Sequence, residues 1–314
     1  MVVSCSLFVM RLMRRWMAGW ALAFLCATAL ATEPYQLLTE IPIGGEGGWD
    51  ILTIDSGATR LFLSHTAKVV VVDLDKNTVV GEIGDTPGVH ALVAVPELQR
   101  GFSSNGKESK SSVVDLKTLN TISKIDTGAN PDAIVYEPRR GEVYIFNHTG
   151  NSATVIDATK HEVIARWSLA PGEEPSGIAL DARHHRLFAG CHNKMMVMLD
   201  TETGKVIATV PIGAGVDGCA FDDATQLAFA SCGEGTTTIA KEETPDKLTV
   251  VQTLKTERGA RTMALDPKTH RIYLPSAQFQ PPPSPPPGAS PARPTIVPNT
   301  LKLLVYGPTE SAKH

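Results

Sequence analysis

Lys68-Val69-Val70-Val71-Val72-Asp73-Leu74 is a run of β-branched residues that ends in an acid and a turn, and it reads as a strand. The run belongs to a register that recurs six times. Each copy begins with a strand whose second position is Asp50 (WDILTID), His90 (VHALVAV), Asp132 (PDAIVYE), Ser176 (PSGIALD), Asp217 (VDGCAFD) or Arg261 (ARTMALD). Successive copies are 40 to 44 residues apart. A second strand follows, as in Arg60-Leu61-Phe62-Leu63-Ser64-His65, and its last residue is His65, Asn105, Asn147, Cys191, Cys232 or Ser276. Each of these lies fifteen residues after its partner, so length variation falls outside the first hairpin.

The third strand often ends in Asp (Asp73, Asp115, Asp157, Asp200), and a polar turn leads to a fourth, as in Asp200-Thr201-Glu202-Thr203-Gly204-Lys205-Val206-Ile207-Ala208-Thr209-Val210. Four short strands at a period of about forty residues predict an all-β fold, a single β-propeller of six four-stranded blades. The last copy supplies only three strands, at Thr262 to Asp266, Arg271 to Leu274 and Leu301 to Tyr306. Pro34 to Gly44 resembles the fourth strand Val206 to Gly213, so the N-terminal strand is expected to complete the last blade and remove its open edge. Residues 278–299, rich in proline, are expected to form an extended or disordered loop inserted between the second and third strands of that blade.

With strands ending in Val-Val-Asp-Leu or Val-Ile-Asp-Ala, a Thr-x-x-Val turn strand and a Pro or Gly opening the next blade, the chain resembles the YVTN, or YncE-like, β-propeller repeat family. The likeness runs from the end of the leader to the C-terminus. It implies an exported propeller and is informative for fold rather than function. Seven blades are usual in that family. The resemblance places the absent repeat between Asn151 to Asp157 and Ala165 to Pro171, which this chain joins directly.

Residues 1–31 read as a signal peptide: Arg11, Arg14 and Arg15 precede the apolar run Trp16 to Leu25, and Ala29-Leu30-Ala31 supplies a small-x-small cleavage pattern. The run is shorter than the ~18–20 residues that a membrane span needs. The expectation is a periplasmic or secreted domain over residues 32–314, monomeric, with no membrane span after cleavage. Loss of three arginines takes the formal charge from −4 to −7, which argues against broad nucleic-acid binding. Cys191, Cys219 and Cys232 remain, an odd number that cannot form a complete disulfide framework.

In an up-and-down blade the first strand starts, and the second ends, on the same face of the disc. The fixed offset therefore predicts two rings at one mouth of the central channel. Asp50, His90, Asp132, Asp217 and Arg261 are the central candidates for ligand binding, with His65, Asn105 and Asn147 beside them. Polar side chains are also expected there simply because water fills such a channel. No metal is required, but Asp50, Asp132 and Asp217, with amide oxygens nearby, form an oxygen-rich set suited to Ca²⁺ or Mg²⁺. Arg261 is expected either to pair with an acid or to clamp a substrate carboxylate. Cys191-His192 with Met195, Met196 and Met198 reads as packing rather than copper ligation, since alternate strand residues face opposite ways. No haem-attachment motif, nucleophile elbow or phosphate loop is present. The leading expectation is a binding or scaffold protein that holds a small molecule or protein partner at the channel mouth. The alternative is a divalent-metal-dependent hydrolase of the lactonase type, supported by fold analogy alone.

Overall fold

The computed structural model describes residues 34–42, 50–55, 58–65, 67–73, 76, 78–280 and 295–309. The proposed signal peptide at 1–31 and residues 281–294 of the proline-rich segment lie outside them. Six four-stranded antiparallel sheets form the blades of a propeller. Blade 1 comprises Leu52–Asp55, Arg60–His65, Lys68–Asp73 and Thr78–Ile83, and blade 2 comprises Val89–Val95, Arg100–Asn105, Lys110–Asp115 and Asn120–Asp126. Blade 3 runs through Pro131–Glu137, Glu142–Asn147, Ser152–Asp157 and Glu162–Ser168, and blade 4 through Pro175–Asp181, Arg186–Cys191, Met195–Asp200 and Val206–Pro211. Blade 5 contains Val216–Asp222, Leu227–Cys232, Thr236–Thr244 and Lys247–Lys255. Blade 6 takes Ala264–Asp266, Arg271–Ser276 and Lys302–Pro308 from the end of the chain and Tyr35–Pro42 from its beginning. Among the described residues no helix is long and apolar enough to cross a membrane.

Period-two alternation lets each blade bury one face against each neighbour. Phe62, Val69, Val71 and Ile83 of blade 1 meet Leu92 and Val114 of blade 2, and Phe102 and Val113 meet Ile145 and Ile156 of blade 3. Tyr144 and Val155 meet Leu187 and Val197 of blade 4, while Met196 and Met198 pack against Ala228 and Ala240 of blade 5. The methionines are thus core residues. Phe229 and Leu254 of blade 5 close on Ile272, Leu304 and Tyr35 of blade 6.

Five apolar clusters serve these five interfaces, and among the described residues none joins blade 6 to blade 1. The blade 1 face carrying Leu52 and Ile54 is 46% and 63% exposed at those residues. With Leu61 and Leu63 it lines a cavity of about 560 Å³, whose opposite wall is Tyr273, Pro275, Leu301 and Leu303 of blade 6. The third and fourth strands of blade 3 are joined directly, as the sequence implies. Asp157 and Glu162 pair across a tight hairpin in which Asp157 Oδ1 accepts from the Thr159 and Lys160 amides at 3.0 and 2.9 Å. Among the described residues, the gap in the apolar packing is a seam between the first and last blades.

The proline-rich insertion has an ordered root that its composition did not announce. Phe279 pairs with Ile296 and Gln280 with Thr295, and the Val297 amide donates to the Gln278 carbonyl at 2.8 Å.

Candidate functional site

The second position of the first strand is set apart by its backbone. Val89 pairs with Asn105 but Ala91 with Ser104, Pro175 with Cys191 but Gly177 with Gly190, and Val216 with Cys232 but Gly218 with Ser231. Blade 3 breaks register likewise between Pro131 and Ile134. His90, Asp132, Ser176 and Asp217 therefore occupy irregularities of the β-bulge kind, which re-aim a side chain out of the ladder. Asp50 and Arg261 precede the regular strands of their blades, which start at Leu52 and Ala264.

These residues meet. His90 Nδ1 lies 3.1 Å from Asp50 Oδ2 and 3.7 Å from Asp132 Oδ1. The hydrogen bond to Asp50 raises the His90 pKa above the ordinary histidine range, against desolvation, and Asp132 adds to the effect. Burial is the main reason that the Asp132 carboxyl is pushed up to about 7, with His90 opposing and Asp217 and Asp50 reinforcing. Asp217 receives Arg261 Nε at 3.0 Å. Its pKa is also raised, burial outweighing the guanidinium. Of the two expectations for Arg261, the pair with an acid is present.

Beside the ring stand two histidines that the sequence reading did not place in it. His148 Nδ1 lies 2.9 Å from Ser176 Oγ and 4.0 Å from Asp132 Oδ2, and His192 Nε2 lies 3.4 Å from the same Ser176 Oγ. The two rings meet edge to face at 4.9 Å. Burial, then the nearby His192, holds His148 below the usual imidazole range. Each histidine follows directly on the last residue of a second strand, so a search at sixteen rather than fifteen residues would have found them.

The second-strand ends behave differently. Asn105 is buried and spends its amide on Glu108 and Ser112 at 2.8 and 2.9 Å while its carbonyl accepts from Ser103. Asn147 is buried too, accepting from the Gly128 amide at 3.0 Å and donating to Ser152 and Thr154. Both fasten loops to strands. His65 is exposed at the end of its strand, opposite Lys68. Cys191, Cys219 and Cys232 are free thiols; burial pushes Cys191 and Cys232 up to about 12.

His90 stands between Asp50 and Asp132 while Asp217 is engaged by Arg261, so the three acids do not share one point. Among the described residues, two other groups of three offer ligand atoms within 4.8 Å of one another: His148, Glu174 and His192 on this face, and Asp181, His184 and Glu242 elsewhere. Below the ring lies the seam cavity. Its lining reaches Ile134 of blade 3 and Ile178 of blade 4, and includes two ring residues, Ser176 and Asp217.

No protein-family profile matches the chain. It is 25% identical over 149 residues to the uncharacterized protein YncE of Salmonella typhi, covering 46% of this chain and 41% of that protein. It is 24% identical over 149 residues to YncE of Salmonella typhimurium strain LT2, with the same coverage. The match thus spans less than half the length of these relatives. Among solved structures, the chain superposes on Kuenenia stuttgartiensis hydrazine synthase with a TM-score of 0.62 at 18% identity, covering 75% of each chain. A chain of the mitotic checkpoint complex gives a TM-score of 0.63 at 12% identity, covering 82% of this chain and 75% of that one. At such identities the likeness is one of fold.

Proposed function

We propose that the protein is an exported β-propeller of the YVTN, or YncE-like, kind that binds a small amphiphile, with the apolar body in the seam cavity and a cationic or hydrogen-bonding head at the ring. One observation carries this reading. A cavity of about 560 Å³ with apolar walls ends on Ser176 and Asp217 of the acid-rich mouth, and ligand sites combine such walls with a few convergent polar groups. A protein partner on the mouth would leave that cavity unexplained. Export rests on the character of residues 1–31.

The test compares decyltrimethylammonium with decanesulfonate below their micellar concentrations. The cation should raise the melting temperature saturably, the sulfonate should not, and Leu52→Gln/Ile54→Gln should abolish the response. Both side chains are substantially exposed, so the double variant should fold. Absence of any shift, or a shift retained in the variant, would refute the reading.

A second reading, a divalent-metal hydrolase of the lactonase type, draws its support from His148, Glu174 and His192 rather than from the three acids. His148→Ala/His192→Ala should then abolish both metal binding at the mouth and any lactone hydrolysis.

A further inference from the structure

The opposite face of the disc carries a second unusual arrangement. Asp181 ends the first strand of blade 4, His184 sits in the turn that follows, and Glu242 comes from the third strand of blade 5. His184 Nδ1 is 2.7 Å from Asp181 Oδ2 and 3.6 Å from Glu242 Oε1, and the ligand atoms of all three lie within 4.8 Å of one another.

Glu242 is the residue that needs explaining. It is 3% exposed, and neither of its carboxylate oxygens accepts a hydrogen bond. A buried acid without donors costs several kcal/mol if it stays charged. Arg186 lies close enough to act on it electrostatically. That guanidinium, however, is committed to Asp200 at 2.7 Å and Asp246 at 2.9 Å. The repeat itself shows how foreign Glu242 is to its position. The Glu242 amide donates to the Gln226 carbonyl, and the same bond is made by Leu116 to Gln99, Ala158 to Gly141 and Thr201 to His185. The equivalent site in blades 2, 3 and 4 is therefore filled by Leu, Ala and Thr, all buried. Only in blade 5, among these four, does a carboxylate stand there, and it stands facing an acid and an imidazole from the neighbouring blade.

We propose that Asp181, His184 and Glu242 form a divalent transition-metal site of the Zn²⁺ type that clamps blade 4 to blade 5 on the face opposite the channel mouth. Two carboxylates and one imidazole are ligands that Zn²⁺ accepts, leaving a fourth position for water. The ion adds positive charge where Glu242 otherwise has only His184 at 3.6 Å and an Arg186 already engaged elsewhere. Asp181 is preset for its role: its Oδ1 accepts from the Arg183 and His184 amides at 2.8 and 3.2 Å, which leaves Oδ2 for the site. Burial, followed by a hydrogen bond to the Asp181 carboxylate that the protonated acid makes, pushes the Glu242 carboxyl up to about 8.

The test is calorimetric titration of Zn²⁺ into the chelator-stripped full chain carrying His148→Ala/His192→Ala, which removes the other ligand group and keeps this result separate from the function proposed above. One equivalent should bind. Glu242→Thr, the residue that blade 4 uses, and His184→Ala should each weaken it by more than about tenfold. Substitution with Co²⁺ should give visible absorption bands that vanish in Glu242→Thr. Metal-free Glu242→Thr should melt no lower than its parent, since it removes a buried unsatisfied carboxylate; this guards against mistaking unfolding for lost ligation. No bound equivalent, or equal affinity in Glu242→Thr, overturns the proposal.

Discussion

Tyr35 and Gln252 exchange two hydrogen bonds across 217 residues of chain: the Tyr35 amide donates to Gln252 Oε1 at 2.9 Å, and Gln252 Nε2 donates to the Tyr35 carbonyl at 2.8 Å. A blade 5 side chain thus grips the backbone of the strand that completes blade 6. The Tyr35 hydroxyl adds a bond to the His270 carbonyl at 2.6 Å, and the ring packs edge-on against Phe229 at 5.1 Å.

Gln252→Leu should therefore cost about 2–3 kcal/mol, because it strands a buried amide and a buried carbonyl together. Urea denaturation measures this, and a cost below about 0.5 kcal/mol would mean that the strand is held by its ladder alone.

Asp132→Asn should stabilise the protein, and more so as pH rises. The Asp132 pKa is raised to about 7 in the fold, against about 3.9 unfolded. The folded state then holds the proton more tightly, so stability falls between about pH 4 and 7 and the penalty is complete above that. His90, also raised, contributes stability that is lost as pH climbs through its folded pKa. Both act in the same direction. The substitution should gain about 1–3 kcal/mol at pH 8 and little at pH 4.5, as read from melting curves across that range. A pH-independent difference would refute the argument.

Arg261→Ala should destabilise the protein modestly, by about 0.5–1 kcal/mol, since the guanidinium is more than half exposed. Removing it should raise the Asp217 pKa further, so the loss should be present at neutral pH and vanish once Asp217 is protonated. NMR titration of the Asp217 carboxyl carbon follows the shift directly.

Gly190→Ala should cost about 1–3 kcal/mol. A Cβ at Gly190 would lie 2.7 Å from Cys219 Sγ and 2.7 Å from Val216 Cγ2, and one at Gly177 would lie 2.6 Å from the same sulfur. Cys219→Ala should restore part of the loss in the double variant, and additive costs would show that the sulfur is not the obstacle.

Much of this architecture is written locally. Alternation within Lys68–Asp73 and its counterparts, and the near-constant period, depend on neighbouring residues, so six blades and the role of the N-terminal strand could be read directly. The ring was legible because one offset marked it, although that offset gave no hint of the bulges at His90 or Asp217 that aim it. Asn105 and Asn147 shared the periodicity and belong to loop networks, because which way a strand-end side chain turns is decided by the partners it finds. Glu242 was invisible for a related reason. Its oddity emerges only when Gln226, His185, Gly141 and Gln99 align the blades in space. The seam was equally hidden, as Leu61 and Leu63 have the apolar character of strands with both faces covered.

Among the described residues, five apolar interfaces join the six blades, so the ring has ends. Blades 2 to 5 are each held from both sides, whereas blades 1 and 6 are each held from one, so thermal fluctuations should find the molecule weakest at two adjacent places. In a repeat array, where stability is close to a sum of unit and nearest-neighbour contributions, opening starts at such ends and travels inward. Amide exchange should accordingly be fastest in blade 1, slow progressively toward blades 3 and 4, and quicken again toward blade 6. The Tyr35–Gln252 clasp and the blade 4–blade 5 face then act as brakes on the second of these two unzipping fronts, and blade 1 is left as the place where the disc first comes apart.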